Sequence, residues 1–266
     1  MMLTQMHRPK DKTVQHRWKT GGQITFLGLA FLALTRLISE IAFLLAKPVY
    51  EALRSFDPDG SFLYISIHHI LQGVFALLII LLLARIFHLP LTQFGFNLNE
   101  WRHAVRLVLL FSLFWFFLQG SIGALMRVFG NTSAAFHFPL TARNFGAYFA
   151  FQILLSGTSE EILFRALVMT PLLLYSKRAG LAGKTSAWLA GGIATLIFML
   201  AHINIAFTPL RLTHFSPLQQ LTVLTFGAFY AFLFVKTGSL LGPILAHNLL
   251  NAVIVTIGLI LFVIFG

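Results

Sequence analysis

Residues 240–265 read LLGPILAHNLLNAVIVTIGLILFVIF, twenty-six positions without a single acid, lysine or arginine. As a helix this stretch is about 39 Å long at about 1.5 Å per residue, more than the roughly 30 Å of hydrocarbon in a bilayer. A soluble domain has no use for so long an uncharged helix, so the stretch reads as a membrane span. The rest of the chain is then read with lipid as its solvent. The polar groups the stretch does carry, His247, Asn248 and Asn251, stand where polarity is costly.

Six further stretches are long and apolar enough, or nearly so, to span: Ile24–Ala46, Phe62–Ala84, Leu107–Met126, Phe145–Met169, Ser186–Phe207 and Leu218–Val235, with Leu240–Phe265 as the seventh. The composition agrees. Of 266 residues, 58% are hydrophobic and 10% charged, and the mean hydropathy is +0.83. Ordinary soluble domains run at about 45–50% apolar and about 25% charged. A cytosolic globular enzyme, a disordered tail and a fibrous protein are all excluded. The expected fold class is an all-α polytopic membrane helix bundle of about seven transmembrane helices. The first stretch follows a basic segment but is too long for a signal-peptide core, so it is expected to stay as an anchor. The chain has no cysteine, which removes disulfide and thiolate chemistry.

The formal charge of +11 does not form a nucleic-acid patch, because the basic residues lie between the apolar runs. Anionic lipid headgroups are the partner that distribution suits. With the N-terminus inside, twelve Lys and Arg fall on the cytoplasmic side and five on the other. That bias predicts an N-in, C-out topology by the positive-inside rule. Lys47–Ser61 and Asn131–Asn144 read as loops, the first with Asp57-Pro58-Asp59-Gly60 as a turn.

Ionisable residues inside the spans carry the functional information, since each costs about 2.5 to 3.5 kcal/mol at a helix centre. Arg36 and Glu40, four apart on the first span, read as a local ion pair. The fourth span carries Ser156-Gly157-Thr158-Ser159-Glu160-Glu161-Ile162-Leu163-Phe164-Arg165. Glu161 and Arg165 share a helix face and can neutralise each other, whereas Glu160 points about 100° away and needs another partner. The fifth span adds Phe198 and His202, and the seventh adds His247 and Asn251, four apart on one face. The other eight histidines read as span-end or loop residues without a task.

Different intramembrane chemistries demand different residues. A zinc His-Glu-x-x-His motif is absent, and Asp11, Asp57 and Asp59 all lie outside the spans. Gly157-Thr158-Ser159 has the bare form of a serine nucleophile, but the next residue is Glu160 and not a small one. A transporter would show broken helices in matching halves, and Pro171, Pro209 and Pro243 do not fall into such a pattern. What remains is a glutamate–histidine site.

Glu160-Glu161-x-x-x-Arg165, Phe198-x-x-x-His202 and His247-x-x-x-Asn251, in that order on three helices, resemble the signature motifs of the CPBP (Abi) family, which includes the type II CAAX prenyl endopeptidases. The resemblance runs from about Phe145 to Ile257. It implies a basic N-terminal segment (1–23), three helices without a family signal (24–144), and a catalytic membrane domain (145–266). It implies an intramembrane endopeptidase opening toward the cytosol and acting on a peptide or lipidated peptide; the compactness of the chain and the absence of added domains lead us to expect a bacterial plasma membrane. Carried over to this chain, Glu160 and His202 would activate water, His247 and Asn251 would form an oxyanion hole, and Glu161 with Arg165 would hold the architecture. No cofactor is required by that scheme; a divalent metal such as zinc on the histidines and glutamate is the alternative. A non-catalytic regulator or bacteriocin-immunity protein of the same family is the competing function.

The span boundaries set these groups at unequal depths. Glu160 falls roughly 20 Å, and His202 about 8 Å, from the outer ends of their spans, with Asn251 about 16 Å from the inner end of its own. Convergence requires tilt, a fifth helix running past Phe207, or a shifted fourth span.

Overall fold

The computed structural model describes residues 12–130, 136–207 and 210–265. The segments 1–11 and 131–135 lie outside the described residues, and with them much of the basic N-terminal segment and part of the second expected loop. Seven helices are described: α1 (Lys12–Leu53), α2 (Leu63–Ile86), α3 (Trp101–Gly130), α4 (residues 142–178), α5 (Gly183–Ala201), α6 (Pro217–Thr237) and α7 (Leu241–Phe265). Six of them, all but α4, are long and apolar enough to cross a membrane without interruption. The fold is all-α and consistent with about seven spans. Its outer surface is apolar, with Phe129 and Trp188 at 82% and 81% exposure. Such a surface is stable only against lipid.

Two expectations about boundaries are corrected. The stretch after Lys47 is not a loop, since α1 continues through Pro48 to Leu53 and closes with a 3₁₀ turn at Arg54–Phe56. The fifth helix, expected to reach Phe207 or beyond, stops at Ala201. An antiparallel hairpin follows, β1 (Asn204–Phe207) with β2 (Leu210–His214). The cause is tertiary. Arg36 of α1 donates to the carbonyls of Leu200 and Ile203, and Gln220 of α6 donates to that of His202. These side chains satisfy the carbonyls a helix end leaves open, and a cation at a helix C-terminus also suits the helix dipole. Arg36 is therefore an interhelical cap as well as an electrostatic neighbour of Glu40.

The core lies where α4 is enclosed by α2, α5 and α7. Inside α4, the segments Gln152–Ser156 and Ile162–Met169 are π-helical and flank a normal turn at Gly157–Glu161. A π-bulge widens the helix and frees backbone groups, and it recurs at functional sites. Here the freed Gly157 N–H is taken by Asn248 Oδ1 of α7 at 2.9 Å, while Asn248 Nδ2 donates to Thr158 Oγ1 at 3.1 Å. Glycine is required at 157: a Cβ there would sit 2.6 Å from both Asn248 Oδ1 and His247 Cβ.

The α1–α2 connection is organised by Asp57, which is fully buried. Its carboxylate accepts from the Ser61 N–H and hydroxyl at 2.9 Å each, and from the Phe62 and Leu63 N–H groups at 2.8 and 2.7 Å. Burial pushes the carboxyl up, but the backbone donors of Leu63, Phe62 and Ser61 and the Ser61 hydroxyl outweigh it and hold it below the ordinary 3.8. The stabilisation is thus complete above about pH 3.8 and is lost as pH falls through the lowered value. Asp57→Asn is expected to cost about 1.5–3 kcal/mol at neutral pH. Thermal melting in detergent checks this, and the gap between variant and parent should close as pH drops below that range.

Candidate active site

The site is built on the normal turn of α4 between its two π-helical segments. Glu161 and Arg165 are both 0% exposed, and the guanidinium Nε lies 3.0 Å from Glu161 Oε2. Arg165 Nη2 donates to the Gly227 carbonyl of α6 at 3.3 Å. Its guanidinium carbon also stands 5.3 Å from the Phe198 ring centroid and 5.7 Å from that of Tyr230. Aromatic faces are one of the few apolar surfaces that favour a buried cation. His247 of α7 completes the group, donating from Nδ1 to Glu161 Oε1 at 2.8 Å and stacking on Tyr230 at 4.7 Å. The i, i+4 pairing of Glu161 with Arg165 is present as the spacing predicts.

Glu160, one residue earlier, faces elsewhere. It lines a cavity of about 250 Å³ with His68, His69 and Gln72 of α2, Arg36 and Glu40 of α1, and His202. Its Oε2 has no hydrogen-bond partner among the described residues. The nearest imidazole nitrogens are Nε2 of His69, 3.9 Å from Oε1, and Nε2 of His247, 3.8 Å from Oε2. His202 follows the last residue of α5, and its Nδ1 donates to the Phe198 carbonyl at 2.9 Å. Its Nε2 is thereby left with a lone pair. A second cavity of about 410 Å³ is lined by His202, His247 and Asn251, with Gln119, Ser216 and Thr222 on its polar side. His202 borders both cavities.

The structure therefore brings Glu160, Glu161, Arg165, His202, His247 and Asn251 to one region of the bundle. His247 and Asn251 do not aim at a common point in this state: His247 turns to the glutamates, and Asn251 Nδ2 donates to Ser156 Oγ at 3.1 Å. α4 runs from residue 142 to 178, which puts Glu160 at the middle of the helix, while α5 ends just before His202.

Two histidines set aside in the sequence belong to this site. His68 and His69 are 3% and 6% exposed, well inside α2. His69 Nδ1 lies 2.6 Å from Ser159 Oγ. The available signal was a pair of adjacent imidazoles followed by Gln72 and Gly73 in an otherwise apolar stretch. Asn248, noted in the sequence as a polar group beside His247, was given no task there, yet it bonds to Gly157 and Thr158. Among the described residues, no group of three His, Asp or Glu side chains is spaced to hold a metal ion. Glu161, the carboxylate in closest contact with an imidazole, is committed to Arg165.

A polytopic helical bundle with a buried Glu–Arg–His cluster beside a polar cavity defines a membrane protein built around an internal polar site. Residues 142–253, from α4 to most of α7, match the family described as Type II CAAX prenyl endopeptidase Rce1-like. That family is one of proteases, and its members imply a peptide substrate and a membrane setting. No curated protein and no solved structure gives a significant match.

Removing one partner of a buried ion pair strands the other. Arg165→Met is therefore expected to destabilise the protein by about 3–5 kcal/mol, seen as lost accumulation or a lowered melting temperature. The double variant Glu161→Gln/Arg165→Met should recover part of that loss.

Proposed function

We propose that the protein is an intramembrane endopeptidase in which Glu160 and His202 activate the water that attacks the scissile carbonyl. The observation that carries the reading is that Glu160 and His202, from α4 and the end of α5, line one cavity in a lipid-facing bundle. Glu160 is the carboxylate left outside the Arg165 pair. His202 presents a lone pair at Nε2 because its Nδ1 is committed to Phe198. As the water oxygen bonds to the carbonyl carbon, its proton passes to Glu160, and collapse of the tetrahedral intermediate returns that proton to the leaving amine.

The second cavity holds the groups suited to the oxyanion. Asn251 has an amide N–H beyond the one given to Ser156, and His247, when protonated, donates from Nε2 while its other N–H stays on Glu161. Such donors in a water-poor cavity are worth about 2.7–4 kcal/mol each. Glu161 and Arg165 act on structure and not on the substrate. The reading uses no metal and no cofactor. The family description supports a prenylated C-terminal peptide as the substrate class.

The proposed setting is a plasma membrane with the N-terminus inside, which the Lys and Arg distribution supports, and an opening toward the cytosol, which the family resemblance supports. With the N-terminus inside, His202 at the C-terminal end of α5 stands nearer the outer face. The charge distribution and the family resemblance thus pull the opening in opposite directions, and the orientation itself has to be measured. Because the chain has no native cysteine, single cysteines at Lys184 and Arg54 report the orientation cleanly with an impermeant thiol reagent.

Cleavage of an internally quenched prenylated CAAX peptide in proteoliposomes tests the proposal. Glu160→Gln and His202→Ala should fall to background while accumulating and melting like the parent. Asn251→Ala should retain activity at about 10²–10³-fold lower kcat. Parental activity in Glu160→Gln would overturn the reading in favour of a regulator. Loss of activity to a chelator, restored by zinc, would reassign the chemistry to a metal.

A further inference from the structure

His69 has no part in the scheme above, yet it faces the proposed base. Its hydrogen bonds define its protonation. The Ser159 hydroxyl donates to the Ser156 carbonyl at 3.2 Å, so at the 2.6 Å contact with Ser159 Oγ the imidazole Nδ1–H is the donor. Nε2 is then a bare acceptor directed at Glu160 Oε1, 3.9 Å away. The same logic applies across the carboxylate. His247 donates from Nδ1 to Glu161, and in its neutral form, before the oxyanion develops, its Nε2 is an acceptor 3.8 Å from Glu160 Oε2. Each oxygen of Glu160 thus confronts an acceptor nitrogen at a separation too long for a direct hydrogen bond. An arrangement of facing acceptors is stable only with a proton, or a water supplying one, between them.

The geometry points to His69 as a positioning residue that shares a proton with Glu160. The inference rests on the proposed role of Glu160 as base. When Glu160 takes a proton from the attacking water, that proton lies between Oε1 and Nε2 of His69, directly or through a bridging water, until it passes to the leaving amine. No proton is gained or lost overall, and no co-reactant is needed. Ser159, which does not line the cavity, serves as the lock on the His69 tautomer and not as a nucleophile. The charged and titratable groups around His69 are Arg36 and Glu40 from α1, His68 from its own helix, Glu160 from α4, His202 from α5 and His247 from α7. Of these only Glu160 stands before its Nε2 within 4 Å among the described residues.

The placement is enforced by packing. Phe151 meets the His69 ring edge-on at 5.0 Å, and a Cβ on Gly73 would come within 3.3 Å of Ser159 Cβ, so α2 and α4 touch closely at this level.

His69→Asn separates structure from function, because the asparagine amide can keep the donor to Ser159 while removing the nitrogen before Glu160. The expected result with the quenched prenylated peptide is a kcat lower by about tenfold or more, a KM within about twofold of the parent, and a pH–rate profile with one limb displaced by about one unit. Ser159→Ala should move the profile the same way by less. A second measurement is independent of turnover: the carboxyl ¹³C shift of Glu160, followed against pH in nanodiscs, should change its midpoint in His69→Asn. An unmoved midpoint with a parental profile overturns the assignment, as does a parental profile in Ser159→Ala. Parental cleavage by Glu160→Gln would instead defeat the proposed function, and the carboxyl titration would still judge His69.

Discussion

The buried pair of Glu161 and Arg165 is the constraint on which the rest of the bundle depends. Two ions without solvent exposure cost several kcal/mol each to bury, and that cost is offset only where every neighbour helps. In this protein the help comes from separate helices: Phe198 from α5, Gly227 and Tyr230 from α6, and His247 from α7. In lipid the hydrophobic effect gives helices little reason to prefer one neighbour over another. The ion pair supplies that preference. It also fixes the rotation of α4, which turns Glu160 by about 100° from the pair and toward the cavity.

The two π-helical segments of α4 are the local counterpart of that constraint. They open the backbone on either side of the charged turn, and the side chains that close the gap come from α7. Asn248 holds the Gly157 N–H, and Asn251 holds the Ser156 hydroxyl. The glycine at 157 lets the two helices approach until only hydrogen would fit between them. Rigidity at this contact keeps the reacting groups in place, since a displacement of about 1 Å is enough to impair catalysis strongly.

Much of this was readable in the chain. Uncharged runs of span length specify helices wherever lipid is the solvent, and the spacing of Glu161 and Arg165 specifies their pairing, because both depend only on local sequence. The end of α5 was not readable, because the carbonyls that terminate it are satisfied by Arg36, more than 160 positions earlier. Arg36 itself looked like half of a local pair because Glu40 is four residues away, and no local rule reveals a distant acceptor. His69 escaped for a related reason. An imidazole in a span acquires meaning from what faces it, and Ser159 lies 90 positions further on.

The cavity beside Glu160 draws its walls from two stretches of chain, one within the segment that carries the family likeness and one before it. The segment that carries the family likeness begins at residue 142, whereas Arg36, Glu40, His68 and His69 come from the first two helices. Because Glu160 and His202 line the same chamber as those residues, exchanges on the far wall change the surroundings of both. What the chamber presents to an occupant is therefore set by both halves of the chain together.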